Sequence, residues 1–312
     1  MDKKTGQFNR FINSTVILYI VLWLLQPVPN RTEGDIRGIA TYTMILATVV
    51  FIIYLAVNIA AFEKNIYVTT KSITGTVLAV LGLWVILTAK TRILEEALFP
   101  SPEIVLRQMF SDSRLPGDIL SSLITLGKGY LSALVLGIFL GSVLGMSKKF
   151  GNSITYITTF LKLIPPIVYI PYAIALLPRY ESVSTFVIFM SSFWPIFSST
   201  YVGVKGVENQ YLDSAKVLNV GFFSRMINVI LPASLSEIFI GCNQGLAYSF
   251  IMLTSAEMIG GSAGIGYYIK YYSNFGDFTR IIVGILVIGI IISIITFLIS
   301  KLENHLLRWK PK

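Results

Sequence analysis

The sequence predicts an all-α, polytopic membrane protein with about eight transmembrane helices. Of its 312 residues, 54% are apolar and 13% are charged, whereas a soluble domain carries about 25% charged residues. Several segments of roughly 20 residues contain no charge, and a helix of that length crosses a hydrocarbon core about 30 Å thick. Lys and Arg are also distributed unevenly between alternate loops, which is typical of multi-pass membrane proteins.

The candidate spans are apolar stretches that recur along the whole chain: residues 12–27, 39–61, 73–89, 129–147, 153–178, 183–204, 238–256 and 281–300. The first is the shortest, and it follows Lys3, Lys4 and Arg10 as the apolar part of a signal peptide would. However, its end, "LLQPVPNR", contains no small-x-small cleavage site. We therefore expect a retained helix.

The basic residues predict the orientation of these spans. With the amino terminus inside and eight alternating spans, 14 Lys and Arg fall on the cytoplasmic side, nine on the opposite side, and two, Lys128 and Lys162, within spans. Because cytoplasmic loops carry the excess of positive charge, both termini are predicted to be cytoplasmic. The net charge of +9 is scattered between spans rather than gathered on one soluble face, which argues against nucleic-acid binding.

Metal and cofactor chemistry has little support in the sequence. The only cysteine, Cys242, lies inside an apolar span, and the only histidine is His305. We expect Cys242 to be a small packing residue. One residue of each type cannot form a Cys/His metal cluster, and the spacing of the carboxylates does not suggest a metal site. We expect the chain itself to bind no metal and no cofactor.

Residues 205–236 form a polar stretch that is too long for a simple turn between two spans. Asp213 and Ser214 can begin a helix there, because short polar side chains satisfy the free amides of a helix start. Asn219 and Gly221 both tolerate positive φ, so the chain can turn sharply after this helix. A second amphipathic segment, "FFSRMINVIL", then leads into the next span. The alternative is an interfacial loop whose apolar residues rest among lipid headgroups.

This hairpin, residues 205–236, resembles the shared cytoplasmic motif of the binding-protein-dependent ABC importer permeases. That motif is Glu-Ala-Ala, three residues, Gly and, further on, Leu-Pro; here the spacing is kept, with Asp for Glu and Asn for Gly. The matching positions are Asp213, Ser214, Ala215, Asn219, Leu231 and Pro232. The resemblance implies that the hairpin docks on an ATPase, with Gly221 as a substitute bend and Pro232 at the exit into the next span. A plain helix cap at Asp213 is the alternative.

Four further stretches resemble the branch of permeases for nitrate, taurine and aliphatic sulfonates. They are "FPSPEIV" at 99–105, "LKLIPPIVYIP" at 161–171, "AEMIGGSAGIGYYI" at 256–269 and "RWKP" at 308–311. Together with the hairpin, the likeness runs from about residue 73 to the end. It implies a six-helix type I ABC importer permease core over residues 73–312, preceded by an accessory pair of transmembrane helices in residues 1–72.

The energy for transport must come from another protein, because the sequence contains no GxxxxGK[ST] phosphate loop to bind ATP. The resemblance implies a cytoplasmic ABC ATPase dimer that carries ATP and Mg. It also implies a second permease subunit, the same or different, and an extracytoplasmic solute-binding protein, assembled in the lipid of a bacterial inner (plasma) membrane. The chain is then a transport subunit rather than an enzyme.

Glu257 stands at the end of the seventh span and is followed by Gly260, Gly264 and Gly266. Glycines permit irregular backbone, which is tolerated at membrane depth only where it is buried in protein or lines a wet cavity. We therefore predict that this loop lines the translocation path or its gate; a simple external turn is the alternative. If Glu257 is buried, its charge needs a partner, and Lys162 is the intramembrane candidate.

The fifth span contains Lys162, Pro165 and Pro166 in close succession. The two prolines remove backbone donors, so this helix should be kinked. A kink opens space for a path, although proline-bent helices are also ordinary packing features. Lys162 either lines that path or extends to the cytoplasmic interface.

Three rival functions stay open on the residues alone. A secondary transporter also has broken helices and intramembrane charge, but it often shows an inverted repeat, and we find no convincing repeat. A membrane enzyme needs convergent acids, nucleophiles or metal ligands, which this sequence offers sparsely. An inactive partner subunit of a heteromeric permease is compatible with the altered hairpin motif.

Overall fold

The computed structural model describes residues 14–26, 28, 41–60, 64–91, 93–147 and 153–308. Nearly all of them are helical, and no strand occurs within these ranges, so the predicted all-α fold is confirmed. The helices are α1 (Ser14–Leu25), α2 (Thr41–Ala60), α3 (Lys64–Val85), α4 (Pro102–Ser111), α5 (Leu115–Gly145), α6 (Ser153–Leu163), α7 (Tyr169–Leu176), α8 (Tyr180–Lys205), α9 (Asn209–Val217), α10 (Phe222–Arg225), α11 (Leu231–Gly260), α12 (Ile265–Asn274) and α13 (Phe278–Leu306).

Three short turns extend or join these helices. A π turn extends α3, a 3-10 turn precedes α7, and a second π turn joins α10 to α11. They are Ile86–Lys90, Pro166–Val168 and Met226–Ile230.

The apolar helices have the lengths that a polytopic membrane protein requires. Five helical stretches are long and apolar enough to cross a membrane: Val68–Lys90, Leu115–Gly145, Tyr180–Lys205, Phe222–Gly260 and Phe278–Leu306. A sixth candidate is α6 together with the following turn and α7, bent by 68° at the break, and α1 and α2 are shorter apolar helices. These eight segments correspond in order to the eight predicted spans.

The helix that contains the fourth predicted span begins earlier than that span. Helix α5 begins at Leu115 rather than near residue 129, so Lys128 lies near the middle of the helix and not at its start. Two charged residues, Asp118 and Lys128, lie within this helix, and each has a partner. Lys128 Nζ lies 2.5 Å from Glu181 Oε1, and Asp118 is buried.

The first compact unit comprises Met1–Asp112 and Tyr272–Val283. Within it, α1, α2 and α3 pack through a small apolar core formed by Leu22, Ala47 and Leu78, all of them buried. The division of the chain into residues 1–72 and 73–312 stays a prediction, and its boundary falls inside the continuous helix α3.

A carboxylate connects α4 to the start of α2. Helix α4 begins at Pro102, with the proline in its first turn. Glu103 of α4 is buried and accepts hydrogen bonds from the backbone N–H of Tyr42 at 3.3 Å and of Thr43 at 3.0 Å. The side chain therefore caps the amino end of α2, where negative charge is favourable.

The second compact unit comprises Ser113–Tyr271 and Gly284–Lys312, with α8 at its centre. Helix α8 packs against α5 on one side and α11 on the other. The core between them contains Leu126, Ile188 and Leu246, one from each helix. Because the central helix touches both neighbours, it is the most buried of the candidate spans.

A row of small residues allows α5 and α8 to approach closely. Positions 129, 133, 137, 141 and 145 are Gly, Ala, Gly, Gly and Gly, every fourth residue along one face of α5. A Cβ added at Gly129 would lie 2.6 Å from Ile188, and one added at Gly145 would lie 2.8 Å from Val204. Small residues at this spacing are typical of close helix pairs in membranes.

The same contacts fix the relative direction of the two helices. Residue 129 faces 188 and residue 145 faces 204, so α5 and α8 run parallel. Two spans that run parallel start on the same side of the membrane, and the chain between them must cross back once. The bent pair of α6 and α7 is the only described segment between them with the length to do so, and it therefore counts as one span.

Candidate functional site

The hairpin turn has the backbone conformation that its sequence predicted. Asn219 has a φ of 51°, and it is the only described residue other than glycine with a positive φ. The N–H of Val220 donates to the carbonyl of Ala215 at 2.9 Å, and that of Asn219 to the carbonyl of Lys216 at 2.9 Å. This pair of bonds is a Schellman motif, in which a left-handed residue ends the helix and satisfies its last carbonyls. The prediction that Asn219 takes the turning position is confirmed.

Two other expectations for the hairpin are wrong. Asp213 does not begin the helix, because α9 starts at Asn209, soon after α8 ends, and Asp213 lies in its second turn. There it pairs with Lys216, Nζ to Oδ1 at 2.7 Å, on the exposed surface. Gly221 is not a substitute bend either, because its φ of −60° is open to any residue.

The side chains of the turn divide into buried and exposed groups. Ala215 is 3% exposed and packs within the chain itself, whereas Val217 and Leu218 are 87% and 76% exposed. Ser214 is exposed and donates to the carbonyl of Gln210. The most exposed apolar side chains of the hairpin are therefore Val217 and Leu218, just before the turn, together with Phe223 after it.

Pro232 lies where the hairpin enters the next span, as expected, and the helical path is continuous there. The helical path runs continuously from Phe222 to Gly260, and the π turn Met226–Ile230 immediately precedes the start of α11 at Leu231, with the proline in its first turn. Proline lacks an N–H and its ring displaces the carbonyl of the preceding turn. The wider π turn accommodates both effects, as such bulges do in continuous helices.

The loop between α11 and α12, residues 261–264, is held by a buried polar network. Glu257 is 4% exposed and accepts hydrogen bonds from Ser122 Oγ at 2.7 Å and from the N–H of Gly266 at 2.8 Å. Ser122 Oγ also accepts from the N–H of Ile265 at 2.8 Å. Asp118 Oδ1 accepts from the N–H of Gly264 at 2.9 Å.

These contacts bind three successive amides at the start of α12, where a helix has no internal acceptors. Asp118 is held in turn by Arg114 Nε at 3.1 Å, and the Arg114 guanidinium lies over the rings of Tyr267 and Tyr271. The expectation that Lys162 would neutralise Glu257 is wrong, since hydrogen bonds from Ser122 and a backbone amide satisfy this carboxylate instead.

The glycines of this region permit that close packing. Gly264 has φ of +108°, and a Cβ there would lie 2.3 Å from the Glu257 carboxylate. A Cβ at Gly260 would lie 2.4 Å from the ring of Tyr180, and one at Gly266 would lie 2.6 Å from the carbonyl of Thr254. The loop is thus a tightly packed part of the second unit, and its role in a path or gate stays a prediction.

The bent pair opens a cleft of about 360 Å³. It brings together the three predicted path residues Lys162, Pro165 and Pro166, and the predicted kink is confirmed as the 68° bend. Residues from α8 and α11 complete the wall, among them Ser191, Trp194, Gln244 and Tyr248. Glu257 and its glycines do not line this cleft.

Sequence reasoning missed several residues of both sites. Asp118 and Ser122 are polar residues one helical turn apart in an otherwise apolar helix, which is the signal that would have singled them out. Gln244 and Tyr248 show the same spacing on α11. Among the described residues, no cluster of His, Cys, Asp and Glu has the geometry of a metal site.

The sequence matches the family of the binding-protein-dependent transport system inner membrane component over residues 133–309. The chain belongs to this family. Nitrate import permease protein NrtB of Synechocystis is 32% identical over 217 residues, which cover 66% of this chain and 79% of the relative. A probable ABC transporter permease protein of Brucella abortus is 30% identical over 235 residues, covering 74% of this chain and 92% of the relative. The bicarbonate transport system permease protein CmpB of Synechococcus elongatus is 28% identical over 200 residues, 63% of this chain and 71% of the relative.

Family membership and the apolar helices together identify a multi-pass inner membrane permease subunit of an ABC importer, in the branch that contains the nitrate permeases. Membership of this family argues against two of the alternatives, a secondary transporter and a membrane enzyme. The family implies an ATPase and a solute-binding protein as partners.

Proposed function

We propose that this permease carries a small inorganic anion and that its hairpin, residues 205–236, docks on a cytoplasmic ABC ATPase. The relatives named for nitrate and bicarbonate import support the class of solute. The observation that carries the docking is the exposure of Val217 and Leu218 beside a turn whose backbone is already satisfied.

The exposed face of the hairpin has the properties of a protein contact. Val217, Leu218 and Phe223 present apolar side chains to the outside, and such a cluster is stabilised when a partner covers it. The Schellman motif holds the turn in one conformation, so docking would not need to order it. The kept turn geometry also favours an active subunit over an inactive partner.

The complete importer in this proposal contains two permease subunits, the same or different, an ATPase dimer that carries ATP and Mg, and an external solute-binding protein. Both termini and the hairpin lie on the cytoplasmic side. Reporter fusions at Asn30 and Lys149 test this orientation, with an external signal expected for the first and a cytoplasmic signal for the second. The reverse pattern would overturn it.

The docking test replaces an exposed apolar residue of the hairpin and a matched residue elsewhere. Leu218→Ser removes a side chain from the proposed contact, whereas Leu306→Ser changes an exposed leucine at the end of α13. Ala215 is unsuitable because it is buried within the chain, and a large side chain there would disturb the hairpin itself.

We expect Leu218→Ser to weaken co-purification of the ATPase and to lower solute-stimulated ATP hydrolysis, about tenfold for a loss near 1.4 kcal/mol. Leu306→Ser should leave both unchanged. Equal membrane insertion of the two variants is checked first, because insertion depends on the apolar spans. Normal ATPase binding and transport by Leu218→Ser would exclude the hairpin as the docking element.

A further inference from the structure

Trp194 lines the cleft at the bend of α6 and α7, and its indole donor has no acceptor within the described residues. Trp194 Nε1 is buried and makes no hydrogen bond within the described part of the chain. Its ring is fixed by edge contacts with Phe193 and Phe197, at centroid distances of 4.9 and 6.3 Å, so the donor cannot easily turn elsewhere. A buried donor without a partner is destabilising, and a ligand that accepts a hydrogen bond would relieve that cost.

The polar groups that line this cleft favour a negatively charged ligand. Lys162 lines the same cleft, and none of its described lining residues is an Asp or a Glu. A lysine ammonium and an indole N–H can only donate hydrogen bonds. The two groups together therefore select a ligand rich in acceptors, and the uncompensated lysine selects an anion.

The remaining polar residues are suited to orient such a ligand. Gln244 and Tyr248 lie one turn apart on α11, both exposed and both on the wall of the cleft. Polar side chains at membrane depth face protein or a wet cavity rather than lipid. The Gln244 amide and the Tyr248 phenol can each donate or accept hydrogen bonds, so they can stay bonded to a hydrated ion as it moves.

We infer that this cleft is a transit site for a small oxyanion, with Lys162 supplying the charge and Trp194 donating its indole N–H to an anion oxygen. Gln244 and Tyr248 complete the donor set. The inference rests on the proposed function, because it gives the proposed anion a place in the path. It adds a site and a mode of recognition that the resemblance to other permeases does not supply.

Lys162 also has a structural role, and the test must distinguish that role from anion binding. It lies in the last turn of α6, where a cation stabilises the carbonyl end of a helix. Replacing Lys162 alone would confound the two roles, so the readout is placed on Trp194 instead.

The test is an NMR titration of the full chain in nanodiscs with 15N-labelled indoles. The chain has four tryptophans, and Trp194→Phe identifies the signal of interest by its loss while keeping an aromatic ring. Trp84→Phe identifies a matched control, an indole whose Nε1 already donates to the carbonyl of Pro100 at 3.1 Å. Sodium nitrate is the probe, and urea is a neutral planar molecule of similar size.

We expect nitrate to shift the Trp194 signal saturably, to leave the Trp84 signal in place, and to act at concentrations where urea has no effect. Lys162→Gln should raise the midpoint of the nitrate titration roughly tenfold or more, as loss of a charged hydrogen bond does. Lys128→Gln, which changes a lysine paired with Glu181, should leave it unchanged.

Two patterns of response would overturn the site, and so would the absence of any Trp194 response. One is a Trp194 signal that moves only together with the other indoles, as a general salt effect would produce. The other is an equal response to urea, which would show that charge is not recognised. Neither outcome bears on the hairpin, because ATPase binding by Leu218→Ser is measured separately. If nitrate is transported but Trp194 does not respond, the site fails and the proposed function stands.

Discussion

The hairpin of residues 205–236 and the loop of residues 261–264 both turn the chain near a helix end, but they satisfy their polar groups in opposite ways. The hairpin closes its hydrogen bonds locally, through the Schellman motif at Asn219, and leaves apolar side chains exposed. The loop and the following residues direct three amides to side chains from other helices: Asp118, Ser122 and Glu257.

The difference indicates that the loop stabilises its own chain, whereas the hairpin is available to bind a partner. A loop whose amides and neighbouring carboxylate are bonded to α5 and α11 is held by its own chain, and any movement of it must break buried hydrogen bonds. The turn of the hairpin is closed by backbone hydrogen bonds within the hairpin itself, and its exposed Val217 and Leu218 are available to another protein. We therefore expect substitutions in the loop to affect stability and those in the hairpin to affect partner binding.

The largest effect is expected from Gly264→Ala. The new Cβ would lie 2.3 Å from the Glu257 carboxylate at a residue with φ of +108°, so both the backbone and the network must shift. We expect a loss of about 3 kcal/mol or more in the free energy of unfolding, measured in detergent micelles. Gly289→Ala is the control, because nothing lies within 4 Å of its added Cβ, and a change below about 1 kcal/mol is expected there. Equal stability of the two variants would contradict the packing of the loop.

Ser122→Ala should have the next largest effect. Its hydroxyl donates to Glu257 and accepts from the amide of Ile265, so the substitution leaves two buried groups with a missing partner. The expected loss is about 1–3 kcal/mol in the same unfolding measurement. Ser293→Ala removes a hydroxyl that only bonds within its own exposed helical turn and should be nearly neutral. A neutral Ser122→Ala would show that water replaces the hydroxyl without cost.

Asn219→Val should have the smallest effect on the free energy of unfolding, but it should clearly destabilise the turn of the hairpin. A β-branched residue is disfavoured at φ of 51° by about 1–2 kcal/mol, whereas Asn219→Gly should be tolerated. Gly221→Ala is the matched control, since its φ is −60° and no atom lies within 4 Å of the added Cβ. Faster amide exchange at Val220 in the valine variant alone is the expected result. Unchanged exchange there would mean that the turn does not depend on a left-handed residue.

The sequence predicted the spans well because hydrocarbon thickness sets the length of an apolar helix. It also predicted the turn at Asn219, because positive φ is a local property that few residue types tolerate. Both predictions depended only on residues close together in the chain, and both are supported by the described helices and dihedrals.

The errors have a common physical origin in contacts between distant residues. The fourth span was taken from its uncharged stretch, residues 129–147, and that stretch shows neither the helix start at Leu115 nor the pairing of Lys128 with Glu181. Glu257 was assigned Lys162 as a partner by depth alone, but Ser122, 135 positions away, fills that role. Asp213 was placed at a helix start because a short polar side chain can satisfy the free amides there, although α9 already begins at Asn209, soon after α8 ends.

Hydrogen–deuterium exchange tests the contrast between the two turns most directly. The full chain in nanodiscs is measured alone and with its ATPase. We predict that binding slows exchange across residues 209–221, while residues 264–266, already protected by their side-chain acceptors, exchange slowly in both states. Unchanged exchange in the hairpin, or new protection that appears only at residues 264–266, would contradict the account.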